Sequence, residues 1–186
     1  MADSQEVVDT TKKYYDSEDA DNFYYHIWGG EDIHVGLYNN IGDDIFEASQ
    51  KSVDKLASLV DGIVTEDMKI LDIGAGYGGT ARYFVKKFGC AVDCLNLSDK
   101  ENEKNEKKNK EQGLDDKIGV FGGNFEELPF DADSYDMVMA QDAILHSGNK
   151  KKVFEEVDRV MKSGGHFFFT DPMQADDCPE GVLKPV

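Results

Sequence analysis

Arginine is nearly absent from this chain: only Arg82 and Arg159 occur, and 20 Lys plus Arg face 38 Asp plus Glu, a formal net charge of −18. A chain this acidic is not expected to bind nucleic acid by neutralising phosphates, which needs a clustered basic surface. Cysteine is scarce too. Cys90, Cys94 and Cys178 form an odd set without Cys-x-x-Cys spacing, which argues against a disulfide framework or a structural zinc site and for reduced thiols. His26, His34, His146 and His166 show no metal-ligand spacing, so no metal is expected. No run approaches the roughly 18 apolar residues of a membrane span. Met1-Ala2-Asp3-Ser4-Gln5-Glu6 lacks the basic and apolar regions of a secretory signal, so a cytoplasmic protein is expected. The 186 residues fit one domain of ordinary size.

The charge is unevenly placed. Residues 1 to 66 hold 15 acids and 4 lysines, a net of −11 out of −18. Two readings stay open: a device for solubility in a salt-rich, halophilic cytoplasm, where screening removes self-repulsion, or an ordinary acidic surface. A second charged stretch, Ser98 to Gln112, balances its signs. Glu103 with Lys107, Glu106 with Lys110 and Glu101 with Lys104 sit at helical i,i+4 or i,i+3 spacing, which reads as an exposed, solvated helix.

From Met68 onward short apolar runs alternate with helical patterns, which predicts an α/β fold built on a doubly wound, mostly parallel sheet. Strands are expected at 69–73, 91–97, 118–122, 135–140 and 166–170. Helices are expected over 79–88 with Gly89 as C-cap, over 99–112 with Ser98 as N-cap, and over 150–161. Two further helices precede Met68, near 5–16 and 44–59, the second with Ile45, Ala48, Val53, Leu56, Leu59 and Val60 on its apolar face. Between them Phe23-Tyr24-Tyr25-His26-Ile27-Trp28-Gly29-Gly30, followed by His34, Gly36 and Tyr38, is too irregular for one helix and too aromatic for a plain loop. It is expected to be a lid or pocket wall, or a hydrophobic plug under an N-terminal arm. The chain thus divides into a helical and aromatic segment (1–66), an α/β core (67–172) and a tail (173–186).

Ile70-Leu71-Asp72-Ile73-Gly74-Ala75-Gly76-Tyr77-Gly78-Gly79 follows a strand and opens a helix, the setting a nucleotide-binding turn requires. Gly74, Gly76 and Gly79 also satisfy the dinucleotide spacing, so NAD must be weighed against a methyl donor. Asp72 favours S-adenosylmethionine, since a carboxylate at the strand end suits the ammonium of a methionine moiety and repels a pyrophosphate. Asn96, where a ribose-binding acid belongs, weakens both readings equally. Gly123-Asn124-Phe125-Glu126-Glu127-Leu128-Pro129-Phe130 offers an amide and an aromatic ring to an adenine, for which the NAD motif set has no counterpart.

Asp72-Ile73-Gly74-Ala75-Gly76-Tyr77-Gly78, Leu128-Pro129-Phe130 with Asp133-Ser134-Tyr135-Asp136, and Lys162-Ser163-Gly164-Gly165 together resemble class I S-adenosylmethionine-dependent methyltransferases, whose Rossmann-like fold is implied here. More narrowly, Phe23 to Gly36, Gln141-Asp142-Ala143-Ile144-Leu145-His146-Ser147-Gly148 and Thr170-Asp171-Pro172-Met173 resemble the sarcosine and dimethylglycine N-methyltransferases that make glycine betaine. Phosphoethanolamine methyltransferases share the Asp-Ala-Ile-Leu-His core.

The resemblance implies that Gly74 and Ala75, with Gly76 of the same turn, hold the methionine part of the donor. It places Asn96 and Leu97 at the ribose and adenine, Asn124 and Phe125 around the adenine, Gln141 near the sulfonium, and Asp142 and His146 toward the acceptor. His146 is the candidate base for an amine that must lose its proton. Asp142 would orient His146 or attract the cationic acceptor; read without the resemblance, it is a helix N-cap. Trp28, Tyr14, Tyr15, Tyr24 and Tyr25 suit an enclosure around positive charge, with Trp28 and Tyr15 preferred. Neither Arg82 nor Arg159 is well placed for an acceptor carboxylate. The family fold continues with two strands after the fifth, and these are expected to be missing here. That leaves open a catalytically deficient donor-binding or interaction module, and self-association through an open sheet edge.

Overall fold

The computed structural model describes residues 4–28, 30–173 and 176–177. Cys178 and most of the expected tail, including Gln174, Pro179, Gly181 and Pro185, lie outside the described residues, as does Gly29. The chain begins with α1 (Ser4–Tyr15), α2 (Glu18–Phe23), a π-helical turn (Tyr24–Trp28) and α3 (Ile45–Ser58). Then β1 (Lys69–Ile73), α4 (Gly79–Phe88), β2 (Ala91–Asn96), α5 (Asp99–Glu111), β3 (Ile118–Gly122) and β4 (Tyr135–Gln141) follow. A 3-10 turn (Ile144–His146), α6 (Lys150–Val160) and β5 (Met161–Thr170) close the order.

The five strands form one parallel sheet in the order β3-β2-β1-β4-β5. Strand residues alternate between its faces. Ile70, Val92, Met137 and Met139 meet Ala57 of α3 and Ala81 and Phe84 of α4 on one side, while Leu71, Leu95, Val138 and Ala140 meet Val153 and Val157 of α6 on the other. Each such burial of a Val, Leu, Ile, Phe or Met side chain stabilises the fold by about 1.5–3 kcal/mol before entropy is counted. The order reverses direction beside β1, and in open parallel sheets ligands bind in the crevice beyond the strand ends at that switch point.

Helix starts follow their caps. Ser98 accepts from Glu101 N at 3.2 Å, and Asp44 and Asn149 cap α3 and α6 in the same way. Gly89 ends α4 at φ 74, where a side chain would be strained.

Several elements differ from the sequence expectation. The last strand starts at Met161, five residues early, because α6 ends at Val160 and the chain extends directly through Gly164 and Gly165. The start of the aromatic segment is helical, with Phe23 ending α2 and Tyr24–Trp28 forming a π turn, which periodicity does not resolve in so short a stretch. Leu59 follows the last turn of α3 and is exposed. The largest departure is α5, whose Glu101, Asn102, Asn105 and Asn109 are buried. Asn105 and Asn109 are buried against Arg82, itself only 2% exposed, which donates to their Oδ1 atoms at 2.9 Å each, while Glu101 and Asn102 sit beside Asn96, whose Nδ2 donates to Glu101 Oε2 and whose carbonyl accepts from Asn102 Nδ2. Lys104 and Lys108 leave the helix for Asp21 (2.6 Å) and Glu31 (3.0 Å), and within it Lys107 pairs with Glu111; the three expected pairs are not among the ion pairs of the described residues.

Candidate active site

The carboxyl ends of β1, β2 and β4 and the loop after β3 open into one cavity that α1 and the aromatic segment cover. Gly74, Ala75 and Gly76 line it from β1, Asn96, Leu97 and Ser98 from β2, Asn124, Phe125 and Glu126 from the loop after β3, and Gln141, Asp142 and His146 from β4 and its 3-10 turn. Tyr15, Tyr24 and Trp28 complete the wall. Gly74, at φ +81, is required twice over, since a Cβ there would run into Ala143.

Most of the residues expected at a donor site are therefore brought together, and three are not. Asp72 does not line the cavity; it lies behind the glycine turn, 3% exposed, on the face of the sheet shared with Ile70. Burial pushes its carboxyl up to about 7. Tyr14 is half exposed and off the wall. Tyr25 turns away onto Tyr77, and the cation over its ring, at 4.3 Å, is Lys104.

Gln141 is held at the end of a chain of hydrogen bonds. His34 is buried, and burial lowers its pKa to about 4, so it is neutral. Thr80 Oγ1 donates to Gln141 Oε1 (3.0 Å), which leaves that hydroxyl to accept from His34 Nε2 (3.0 Å). Gln141 Nε2 in turn donates to Ser52 Oγ at 2.9 Å. His34 also fixes the lid, because its carbonyl accepts from Trp28 Nε1 (3.1 Å) and Ser49 Oγ (3.2 Å).

Asp142 sits at φ 52, and both its oxygens are already engaged. Oδ2 accepts from Val35 N at 2.7 Å and Oδ1 from Thr170 Oγ1 at 3.1 Å. It joins the aromatic segment to the end of β5, so its carboxylate is a staple of the wall. His146 is paired with Tyr15 across the cavity mouth, Oη to Nε2, at 3.1 Å. Burial, and secondarily Lys150, lowers the His146 pKa below its usual value, while burial pushes the Tyr15 hydroxyl up to about 12. At neutral pH this is a neutral imidazole beside a protonated phenol.

Among the wall residues given no site role in the sequence are Glu31, His34 and Glu126, in irregular segments, and Glu101, hidden among the charges of α5. The wall carries four acids (Glu31, Glu101, Glu126, Asp142), and among the described residues that line it there is no Lys or Arg. Such a wall suits cations and disfavours a pyrophosphate. The arginines are engaged elsewhere. Arg82 binds Glu31 at 2.8 Å as well as Asn105 and Asn109, and Arg159 binds Glu156 (2.7 Å) and the carbonyls of Leu128 and Phe130, which shapes the loop after β3.

Comparison with known proteins agrees with this geometry. Residues 71–169 match the model of a methyltransferase domain. The chain is 55% identical over its whole length to a sarcosine/dimethylglycine N-methyltransferase of Aphanothece halophytica, covering 67% of that protein. It is 52% identical to one of Halorhodospira halochloris, covering 97% of this chain and 64% of the relative. A crystal structure from Galdieria sulphuraria, described as a proposed sarcosine dimethylglycine methyltransferase, superposes with a TM-score of 0.83 at 48% identity over 90% of this chain and 63% of that one. The chain spans about two thirds of the length of these relatives.

Proposed function

The chain belongs to the methyltransferase-domain family, and from that premise we propose that it uses S-adenosylmethionine to N-methylate sarcosine, dimethylglycine or both, making glycine betaine. One observation carries this reading: the glycine turn of β1 shares a single acid-lined cavity with Tyr15, Tyr24 and Trp28 and with the neutral imidazole of His146. The wall fits the donor, which is positively charged at sulfur and at its amino group. It has no cationic side chain among its described residues, and Glu101 Oε1 is a buried oxygen without a hydrogen-bond partner.

When bound, S-adenosylmethionine supplies a methyl group on a sulfonium, open to in-line attack by an amine. Gly74, Ala75 and Gly76 would hold its amino-acid end. Asn96, Leu97, Asn124 and Phe125 would hold the nucleoside, and Gln141, immobilised by Thr80 and Ser52, would lie near the sulfur. Tyr15, Tyr24 and Trp28 exclude water and place ring faces around cationic groups, each worth about 0.5–2 kcal/mol. Alignment is the main lever, since held geometry can lower a barrier by about 7–11 kcal/mol. His146 takes the proton that the acceptor amine must lose, at Nε2 once the amine displaces Tyr15 Oη from it. Asp142 positions this wall and leaves the proton to His146.

Because no cationic side chain lines the described wall, a second reading keeps donor binding without turnover. Calorimetric titration with S-adenosylmethionine, followed by transfer assays on sarcosine, dimethylglycine and phosphoethanolamine, tests both. Binding with transfer to the first two supports the proposal. Binding without transfer to any acceptor supports the module, transfer to phosphoethanolamine alone reassigns the acceptor, and absence of binding removes the methyl donor altogether.

A further inference from the structure

The cover of the cavity and the end of β4 meet at two consecutive residues, His34 and Val35. The His34 carbonyl accepts from Trp28 Nε1 of the cover (3.1 Å) and from Ser49 Oγ of α3 (3.2 Å). Its ring reaches the other way: Nε2 lies 3.0 Å from Thr80 Oγ1, which donates to Gln141 Oε1 at 3.0 Å. Val35 N donates to Asp142 Oδ2 at 2.7 Å. Directly after them the backbone is clamped on α3, since Leu37 N donates to Ala48 O (2.9 Å) and a Cβ on Gly36 would run into Ala48. This stretch therefore has little freedom to shift without moving Trp28 and Gln141 together. The His34 ring is buried and neutral, with Asp142 as its charged neighbour, so it acts by hydrogen bonding and not by its own charge. Buried polar chains of this kind are costly to leave half made, so their bonds tend to form and break together.

We propose that His34 is a positioning residue for methyl transfer, one that ties the seating of Trp28 over the cavity to the placement of the Gln141 amide. Trp28 and Gln141 both line the cavity, whereas Thr80, through which they are joined, lies behind it. With Trp28 seated, the Gln141 amide is held at both ends, Oε1 by Thr80 and Nε2 by Ser52 at 2.9 Å. With Trp28 lifted, the chain slackens at Thr80 and Ser52 alone holds the amide. A fixed amide dipole near sulfur favours a sulfonium over a neutral thioether, and a loose one loses that preference. The inference rests on the methyl-donor reading of the cavity and adds to it the residue that makes donor selectivity depend on the cover.

The test is calorimetric titration of the full chain with S-adenosylmethionine and S-adenosylhomocysteine, which differ in the charge on sulfur. Wild type, Trp28→Phe, Thr80→Val and the double variant are compared. Trp28→Phe keeps a ring in the wall and removes the indole N–H, while Thr80→Val keeps the volume and removes the hydroxyl. Each is expected to weaken S-adenosylmethionine by about twofold to tenfold, the worth of one hydrogen bond, and S-adenosylhomocysteine much less, so that the affinity ratio falls. On the Thr80→Val background the effect of Trp28→Phe on the ratio should largely disappear, since the chain is already cut. Thr80→Ser, which restores the hydroxyl, should restore the ratio. A merely structural role would weaken both ligands alike. An unchanged ratio in Trp28→Phe, or losses that multiply fully in the double variant, overturns the inference while the donor reading stands. A wild type that binds neither ligand removes both. Should Thr80→Val fail to fold, Thr80→Ala, better suited to a helix, makes the same cut.

Discussion

His146 and Tyr15 are separated by 131 positions in sequence and by one hydrogen bond in space. Because burial lowers the His146 pKa, the imidazole is protonated only on the acid side of its usual value. Turnover should therefore fall as pH drops below about 6.5 toward the lowered value. His146→Gln should remove that acid-side inflection and reduce the rate by about 10²-fold or more, the usual worth of a positioned base. A pH–rate profile of the two proteins checks this; identical curves would eliminate the role. Trp28 makes the companion case. Trp28→Ala should raise the acceptor KM by roughly twofold to thirtyfold, the cation–π range, and some donor affinity should go as well because the indole also anchors His34 O. Steady-state kinetics with sarcosine and dimethylglycine decides it, and unaltered KM values would sink the aromatic enclosure.

At the scale of elements, the cover of the cavity is fastened by polar contacts at the ends of α1 and α2. Lys12 reaches Leu97 O at 2.9 Å and Asp99 at 2.8 Å, while Asp16 accepts from Ser98 Oγ at 2.8 Å. Asp21 takes both Lys104 and the Tyr77 hydroxyl. These bonds join the cover to the first turn of α5 and to the glycine turn, so seating α1 and binding a ligand are linked. The Lys12–Asp99 pair is well exposed, so its worth is at most about 1 kcal/mol and is screened by salt. Lys12→Ala should weaken S-adenosylhomocysteine binding by about twofold to fivefold in dilute buffer. Raising the salt should weaken the wild type toward the variant and leave the variant nearly unmoved. Titrations at two salt concentrations measure this, and a variant as salt-sensitive as the wild type would disprove the fastening.

The molecule as a whole carries buried titratable groups of opposite effect. Asp72 and Glu101 are raised to about 7 and Asp32 to about 6, each chiefly by burial. Their folded forms hold protons that the unfolded chain releases, so they oppose folding increasingly as pH rises from about 4 to 7. His34 acts in the other direction. Its folded value of about 4 lies below 6.5, so the unfolded chain binds the proton first and stability is lost as pH falls between the two. Asp72→Asn should stabilise the protein by up to a few kcal/mol at pH 8, and the gain should shrink toward zero as pH falls below about 4, where both states take up the proton. Denaturant melts across that range check it, and a gain that does not depend on pH would refute the assignment.

The strands at 69–73 and 118–122, helix α4 with its Gly89 cap, and the Ser98 cap were legible in the sequence because each is set by local physics: an apolar run, a left-handed glycine, a hydroxyl one residue before a helix. The glycine turn and the residues at the ends of β2 and β4 were legible too, because a parallel sheet places its strand ends on one side. The roles within the wall were decided only by tertiary structure. Glu101 has the same sequence signature as its solvated neighbours, and only the docking of the first turn of α5 beside Asn96 at the end of β2 buries it. Asp142 reads as a partner of His146 or of the acceptor, or as a helix N-cap, until Val35 and Thr170, far apart in the chain, are seen to occupy both oxygens. Asp72 reads as a site residue by position, yet strand alternation turns it away from the cavity into the core. Local propensity and periodicity act over a few residues and are written in the chain itself, whereas burial and hydrogen-bond partnership depend on what distant segments bring alongside.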